Sequence, residues 1–263
     1  MKHIVVTIRY SILMENNLRK SWKVGLDNDF ESYKKILFDS SRLSVREKIF
    51  NKICLPSLIK INNSITSDIS FKVHILTSSL LPLENKKFLK EISTHNTFIE
   101  IKEHDPETAN LHIDFQHYLD ENFKEGDIYA SVRLDDDDAL SIEWLNEITK
   151  FINPNFNDFV ISLSSGHAAV INNDIEIDKI MPYKWKGGSA GLTYIGMNKK
   201  AKTIYQCGPH LSTDDKFKTI IYSNGNFFFR TFNEFNDSDT HTYIPKTEPL
   251  NDLDKSKILD FYL

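Results

Sequence analysis

Four consecutive aspartates, Asp135 to Asp138, are the residues whose type and spacing most clearly indicate chemistry in this chain. Four carboxylates held close together repel one another by roughly a few kcal/mol per close pair at an effective dielectric constant of about 20. A bound cation would offset this repulsion, and so would counterions around a solvated acidic turn. The sequence on either side of the motif bears on the choice between the two.

The residues flanking the four aspartates have the patterns of regular secondary structure. Apolar and polar residues alternate over residues 128–134, which predicts a strand with one apolar face. Apolar residues recur at helical spacing over residues 142–152, with Ser141 placed as the N-cap and Glu143 in the first turn. The aspartates are therefore predicted to lie at a strand-to-helix junction.

A junction of this kind is a candidate ligand site, because open α/β sheets bind ligands beyond the carboxyl ends of their strands. In extended backbone, Asp135 and Asp137 point to the same side with α-carbons about 6.5–7 Å apart. Mg²⁺ and Mn²⁺ prefer oxygen ligands, and Mg²⁺ commonly combines one or two carboxylates with substrate phosphates. The motif thus favours a cation that also holds a diphosphate, with a solvated turn as the alternative. An EF-hand is disfavoured because the loop lacks its characteristic glycine and final glutamate.

The length and composition are those of a globular protein. The 263 residues are 40% hydrophobic and 26% charged, which suits one large or two small α/β domains. The net charge of −5 argues against a general nucleic-acid binder. The two cysteines, Cys54 and Cys207, give little support to a disulfide framework or a zinc site. Neither a secretory signal nor a membrane span is recognisable, so a cytoplasmic protein is expected, with attachment to a membrane surface left open.

Strands and helices are predicted to alternate through the first half of the chain. The predicted strands cover residues 3–8, 71–79, 98–105 and 128–134, and the predicted helices residues 44–60, 83–92 and 111–123. Ser44 and Glu47 have the spacing of a capping box, and Pro56 is expected to bend or divide the helix that follows. This alternation predicts a parallel sheet with crossover helices.

Short strands dominate the predicted second half, which indicates mixed or antiparallel pairing. They cover residues 158–166, 167–173, 191–198 and 226–232. The segment MPYKWKGGSAG, residues 181–191, is predicted to be flexible, with Tyr183 and Trp185 as stacking surfaces. It would cover a ligand or form a plain turn.

Several motifs together resemble the putative rhamnosyltransferase family of bacterial glycosyltransferases. They are Thr7-x-Arg9, LPSL at 55–58, ILTSSLLP at 75–82, RLDDDDAL at 133–140, SAG at 189–191, CGPH at 207–210 and RTFNEFNDSD at 230–239. The resemblance covers most of the chain, RLDDDDAL is its most specific part, and residues from Ser11 to Asp29 depart from it. It implies a single GT-A-like, Rossmann-related α/β domain over residues 1–263, with a mainly parallel central sheet and added mixed strands in the C-terminal half.

The resemblance also implies a division of labour within that domain. Residues 1–140 would bind the nucleotide sugar and residues 141–263 the acceptor. In GT-A glycosyltransferases an Asp-x-Asp element binds the metal of the nucleotide-sugar complex. Asp135 and Asp137 match that pair and Asp138 matches the acid that often follows it, which makes these three the expected metal ligands. Asp136 stands where asparagine also fits, so its charge is expected to be dispensable.

Further site residues follow from matching positions. Thr7 and Arg9 fall where such enzymes hold the base and ribose, although Thr7 also suits a buried strand. Arg133 either neutralises the aspartates or binds the donor directly. Arg230 is expected to bind diphosphate as a two-pronged donor. His210 is the histidine expected at the metal or diphosphate, with a purely structural role as the alternative.

Two acids after His210 are candidates for the general base. Asp214 or Asp215 would take the proton of the acceptor hydroxyl, and helix capping is the competing explanation. Asn236 and Ser238 would line the same region, or form a turn.

The predicted function is metal-dependent transfer of a sugar, with rhamnose suggested by the family name, from a nucleotide diphosphate donor to a bacterial surface polysaccharide. The expected cofactor is Mn²⁺ or Mg²⁺, and the expected acceptor is a glycan or lipid-linked glycan. A nucleotidyl- or phosphoryl-transferring enzyme and a noncatalytic cation- or glycan-binding module remain alternatives. The expected location is the cytoplasm, including the inner face of the bacterial membrane, and no nucleic-acid partner is expected.

Overall fold

The computed structural model describes residues 1–14, 29–107, 112–172, 174–197, 202–236 and 244–263. The strands are β1 (Lys2–Arg9), β2 (Ile69–Ser78), β3 (Ile99–His104), β4 (Ile128–Asp135), β5 (Ala139–Leu140), β6 (Phe159–Leu163), β7 (Ser165–Ile171), β8 (Ile177–Lys184), β9 (Thr193–Met197), β10 (Lys218–Tyr222) and β11 (Phe228–Phe232). The α-helices are α1 (Phe30–Leu37), α2 (Ser40–Ile49), α3 (Leu55–Asn62), α4 (Leu83–His95), α5 (Ile113–Asn122), α6 (Ile142–Phe151) and α7 (Asp252–Tyr262). A π-helical segment covers Phe50–Cys54, and 3₁₀ segments cover Pro154–Phe156, Ile204–Cys207 and His210–Asp215.

The central sheet has seven strands in the order β10-β6-β9-β4-β1-β2-β3. Within it β9 runs antiparallel to β4 and β6, and the other neighbouring pairs are parallel. The expected α/β fold, with a mainly parallel central sheet, is therefore confirmed. Because β1, β2 and β4 are mutually parallel, their carboxyl ends meet at one edge of the sheet.

A second sheet has four strands in the order β5-β11-β7-β8, with both parallel and antiparallel pairs. The two-residue strand β5 pairs with β11, aligning Ala139 with Phe229 and Leu140 with Phe228. Apart from β5, these are the mixed strands expected in the C-terminal half. Since β5 follows the aspartates directly, the aspartates connect the two sheets.

The centre of the hydrophobic core lies along β1. Every residue from His3 to Ile8 is buried, as predicted for a strand covered on both faces. The register of β1 with its two neighbours aligns Val6 with Val73 and Val132, and all three are fully buried. Burial on both faces favours a continuous apolar run over an alternating one. The strand that leads to Arg9 is thus anchored in the core.

The long helix predicted over residues 44–60 is divided into three segments. Its start differs from the prediction, because Asp39 caps α2 by accepting the backbone N–H groups of Ser41 and Arg42. Ser44 consequently lies inside α2, and the capping box predicted there is wrong. Pro56 lies in the first turn of α3, directly after the π-helical segment. The backbone keeps right-handed helical angles at Cys54 and Leu55, so Pro56, which has no N–H to donate, continues a helix whose hydrogen-bond pattern widens in the π-helical segment directly before it.

The second half contains elements that its sequence pattern did not reveal. Met181 to Lys184, predicted to belong to a flexible segment, form the end of β8. This strand carries Pro182 and, among the described residues, pairs within its sheet with β7 alone. An edge strand tolerates proline because one side of it makes no ladder bonds. The strand β10 and the helices α1 and α7 were also missed. Within the described residues, no helix combines the length and the apolarity needed to cross a bilayer.

Candidate functional site

The four residues Asp135–Asp138, here called the aspartate turn, lie at the carboxyl edge of the central sheet. Asp135 is the last residue of β4 and is aligned with Arg9, the last residue of β1. The backbone N–H of Asp138 donates to the carbonyl oxygen of Asp135 at 3.1 Å, which closes the turn. The predicted strand and helix flank it as expected, although the short strand β5 intervenes before α6.

The start of α6 is anchored as the sequence predicted. Ser141 Oγ accepts the backbone N–H of Trp144 at 3.0 Å and donates to the carbonyl oxygen of Asn226 at 2.6 Å. Glu143 in the first turn accepts the backbone N–H of Asn226 at 2.7 Å. These bonds join the helix that follows the aspartate turn to the segment that leads into β11.

Asp135 is the acid that contacts the basic groups of the sheet edge. Its Oδ1 lies 3.7 Å from Arg9 Nη2 and 3.4 Å from Arg133 Nη2, and its Oδ2 accepts Ser189 Oγ at 2.8 Å. Burial acts to raise the pKa of this carboxyl, but Arg133 and Arg9 outweigh that effect and hold the pKa well below its usual value. Asp135 is therefore ionised at neutral pH, and its side chain is still 31% exposed.

Tyr205 links the two arginines, although no sequence pattern singled it out. Its ring centre lies 5.1 Å from the guanidinium carbon of Arg9 and 5.6 Å from that of Arg133. Its hydroxyl donates to the carbonyl oxygen of Thr7 at 3.1 Å. The side chain of Thr7 is buried, and its Oγ1 has no hydrogen-bond partner in the described part of the chain. The predicted residues Thr7, Arg9 and Arg133 are thus brought together at one end of the sheet.

Asp136 points away from this group and pairs with Arg46 on α2. Arg46 Nε donates to Asp136 Oδ2 at 3.0 Å, and Arg46 Nη2 donates to Asp136 Oδ1. Asp136 is 1% exposed and Arg46 is 8% exposed, so the pair is screened little by solvent. The expectation that the charge of Asp136 is dispensable conflicts with this arrangement, because asparagine would remove the counter-charge that Asp136 supplies to a buried guanidinium.

Asp137 and Asp138 are held by the segment around β11. Asn236 Nδ2 donates to Asp137 Oδ2 at 2.6 Å, which brings the predicted Asn236 to the turn. Thr231 donates its hydroxyl to the carbonyl oxygen of Asp137 at 2.8 Å and its backbone N–H to Asp138 Oδ1 at 2.9 Å. Ser238, also predicted here, lies outside the described residues.

The carboxyl of Asp138 is electrostatically disfavoured in its charged form. Burial, with the nearby charges of Asp137 and Asp135, raises its pKa well above the usual value, and Arg230 only partly opposes that effect. The surrounding groups therefore favour the protonated form of Asp138. A cation bound there would favour the ionised form instead.

His210 begins a 3₁₀ segment and is oriented by one hydrogen bond. Its Nδ1 lies 2.8 Å from the carbonyl oxygen of Gly187, so Nδ1 carries the proton and Nε2 is left with a lone pair. Burial and the charge of Arg133 lower the pKa of the imidazole. A neutral histidine fixed through its other nitrogen is the form that binds metals.

Arg230 lies on β11 and packs among aromatic side chains. Its guanidinium carbon is 3.6 Å from the ring centre of Trp185 and 4.6 Å from that of Phe232, and its Nη1 donates to Tyr183 Oη at 3.1 Å. Tyr183 and Trp185, predicted to stack on a ligand, thus contact Arg230. A guanidinium held flat against aromatic rings loses little further freedom when it binds an anion.

Asp214 and Asp215, the predicted general bases, end the 3₁₀ segment that starts at His210. Both are exposed, and no hydrogen bond or ion pair joins either to the aspartate turn among the described residues. Two surface cavities beside α4 and β3 have Lys86 and Lys90 on their walls, and neither includes a residue of the turn.

The ligands available at the aspartate turn suit a hard cation that shares its coordination with a substrate. Within the described ranges, no group of three or more His, Cys, Asp or Glu side chains is arranged to hold a metal ion by itself. Asp137 and Asp138 nevertheless supply carboxylate oxygens within one turn, and a divalent ion would favour the ionised form of both. Mg²⁺ commonly takes one or two carboxylates and completes its shell with phosphate oxygens and water.

The comparison with protein families agrees with the motifs. The family model described as "Putative rhamnosyl transferase" matches residues 3–244. No curated protein matches the chain. Among solved structures, the crystal structure of S. aureus TarS 1–349 matches with a TM-score of 0.43 and 11% identity, over 88% of this chain. The chain spans 60% of the length of that structure. Since the family model covers nearly all of this sequence, the chain belongs to the Putative rhamnosyl transferase family of glycosyltransferases.

Proposed function

We propose that this protein transfers a sugar, with rhamnose as the first candidate, from a nucleoside diphosphate donor to a bacterial surface polysaccharide in a metal-dependent reaction. The observation that carries the metal and diphosphate part is the aspartate turn itself. It places adjacent carboxyl groups at the carboxyl edge of a parallel sheet, with Arg9 and Arg133 beside Asp135 and Arg230 near Asp138. Clustered acids next to arginines suit a cation bound together with an anionic ligand.

The cation would be held by the acids of the turn. Asp137 and Asp138 are the proposed principal ligands of Mn²⁺ or Mg²⁺. Asp135 and His210 would complete the set when the donor binds, since the described residues do not by themselves group three such ligands around one ion. When bound, such an ion stabilises the negative charge that develops on a departing diphosphate. Arg9 joins Arg133 and Arg230 in binding phosphate oxygens, for which the guanidinium fork is well suited.

The two halves of the chain would serve the two substrates. Residues 1–140 would supply Thr7, whose buried Oγ1 has no hydrogen-bond partner among the described residues, toward the donor base or ribose. Residues 141–263 supply the acceptor side, where Asp214 and Asp215 are the proposed general bases. Because both are exposed, an acceptor hydroxyl can approach them from solvent. The acceptor would be a glycan or a lipid-linked glycan.

A thermal-shift series tests the binding part of the proposal. Wild-type protein is heated with UDP, GDP, ADP and dTDP, each with and without MnCl₂. A ligand at a hundredfold excess over its dissociation constant stabilises the folded protein by about 2.7 kcal/mol, so one nucleotide should give an Mn²⁺-dependent rise in melting temperature. Asp137→Asn should lose that rise, and Asp174→Asn, on an exposed turn, should keep it. The absence of any metal-dependent rise in the wild type would contradict the proposal.

Product analysis tests the transfer. With the nucleotide sugar of the base so identified, the wild type should release a nucleoside diphosphate, whereas a nucleotidyltransferase would release pyrophosphate. Asp214→Asn and Asp215→Asn should both bind the nucleotide, and the one that removes the base should lose transfer. Full transfer by both variants would show that neither acid is the base.

A further inference from the structure

Arg46 is a buried cation that contacts the aspartate turn from outside the central sheet. It lies on α2, and 90 residues separate it from Asp136, with which it forms a two-pronged ion pair. The neighbouring helix α3 also reaches this region, since Ser57 Oγ accepts the backbone N–H of Leu140 at 3.4 Å. The helical segment from α2 to α3 therefore contacts both the aspartate turn and the short strand β5 that follows it.

A second contact of Arg46 reaches the segment after β11. Arg46 Nη1 donates to the carbonyl oxygen of Phe235 at 3.5 Å. The next residue, Asn236, donates its side-chain amide to Asp137 Oδ2 at 2.6 Å. Arg46 thus contacts Asp136, which precedes Asp137. It also contacts Phe235, which precedes Asn236, the hydrogen-bond donor to Asp137. The contacts form a closed ring from Arg46 through Asp136, Asp137, Asn236 and Phe235.

We propose that Arg46 is a positioning residue that sets the orientation of the Asp137 carboxylate toward the bound cation. The inference rests on the proposed function, because it concerns the same carboxylates. The planar guanidinium can engage both oxygens of Asp136 and still donate to the carbonyl of Phe235. The ammonium group of a lysine is a point charge and cannot reproduce three such directed bonds.

The ring predicts a specific effect on metal affinity. Groups that orient metal ligands without touching the metal typically change metal affinity by about 10–100-fold when they are replaced. An ion pair that only stabilises the fold would change the melting temperature and leave the affinity of the folded protein unaltered. Metal affinity, measured well below the melting temperature, therefore separates the two roles.

The test uses two variants of the ring and one control. Arg46→Lys keeps the charge and removes the fork. The double variant with Arg46→Met and Asp136→Leu removes both charges, which avoids leaving one of them buried alone. Arg42→Met is the control, because Arg42 is a buried arginine on the same helix whose bonds reach Ser11 Oγ and the carbonyl oxygen of Leu37.

Binding of Mn²⁺ alone is measured from the electron paramagnetic resonance signal of the free ion, and folding from circular dichroism. Both ring variants should bind Mn²⁺ about 10–100-fold more weakly than the wild type, and excess Mn²⁺ should restore nucleoside diphosphate binding. Arg42→Met should lower the melting temperature without changing Mn²⁺ affinity.

Three outcomes would overturn the inference. A folded Arg46→Lys or double variant with wild-type Mn²⁺ affinity would show that the pair serves the fold alone. Failure of both ring variants to fold would likewise show a role in folding. An equal loss of Mn²⁺ affinity in Arg42→Met would show that any buried arginine of α2 matters.

A wild type that binds neither Mn²⁺ nor an Mn²⁺–nucleotide complex would instead contradict the proposed function.

Discussion

Replacement of Gly191 by alanine is expected to destabilise the protein strongly, for two separable reasons. Gly191 has a backbone φ of +77°, in the left-handed region that side chains other than glycine rarely adopt. That conformation costs about 1–2 kcal/mol for an L-residue with a β-carbon. The new methyl group would also lie 2.8 Å from Leu140 Cδ2 and 2.8 Å from Trp144 Nε1, both on buried side chains.

The second cost comes from crowding. Insertion of a methyl group into a packed core typically costs about 1–3 kcal/mol, so the two effects together predict about 2–5 kcal/mol. The backbone here cannot shift freely, because Gly191 N–H donates to the carbonyl oxygen of Arg133 at 2.9 Å. Any movement would also reach Ser189, which donates to Asp135.

Gly126→Ala is the matched control. Gly126 has a φ of +91°, but among the described residues no atom beyond its two chain neighbours lies within 4 Å of a β-carbon placed there. It should therefore show the conformational cost of about 1–2 kcal/mol alone. Urea unfolding, followed by tryptophan fluorescence, gives the free energy of unfolding from the midpoint and the slope. The reasoning is refuted if Gly191→Ala loses no more stability than Gly126→Ala.

Two further predictions concern helix starts. Ser141→Ala should lower the free energy of unfolding by about 1 kcal/mol, because the backbone N–H of Trp144 loses its acceptor. The control Ser93→Ala, inside α4, should change the free energy of unfolding by less than about 0.5 kcal/mol. Equal effects of the two substitutions in urea unfolding would contradict this prediction. Asp39 caps α2, and the hydrogen bonds from Ser41 lower its pKa. A lowered folded-state pKa adds stability above the unfolded value of about 3.9, and that stability is lost as the pH falls through the folded pKa. Asp39→Asn keeps a capping acceptor that does not titrate, so the urea midpoint of this variant should fall less than that of the wild type between about pH 5 and pH 2. An equal fall of the two midpoints over this pH range would contradict the role of Asp39 as a titrating cap.

Local pattern was sufficient to predict the elements that lead to the site. The four strands predicted in the first half end within two residues of β1, β2, β3 and β4. Ser141 was identified as an N-cap because a serine hydroxyl directly before a helical pattern commonly accepts a backbone N–H of the first turn. Asp39 was not identified as a cap, because α2 begins before the apolar stripe from which the helix was predicted. The edge strand β8 was missed since its charged residues and proline resemble a loop.

The separate environments of the four aspartates could not be predicted in the same way. The sequence places four identical side chains in a row, and their partners come from segments far along the chain. Asp135 accepts Ser189, 54 residues later, and Asp137 accepts Asn236, 99 residues later. The motif predicted that the charge of Asp136 is dispensable, whereas the folded chain pairs that charge with Arg46.

By itself, then, the sequence determined that a buried strand delivers a run of carboxylates to the carboxyl edge of a parallel sheet, because alternation, helical spacing and capping act over a few residues. Only the tertiary structure decided which carboxylate is ionised beside Arg9 and Arg133, which one is bound to Arg46, and which one lies buried among like charges. That division depends on how α2, β11 and the 3₁₀ segment at Ile204–Cys207 pack around one turn. The energy of a buried charge is set by groups a few ångströms away in space, and their distance along the chain has no bearing on it.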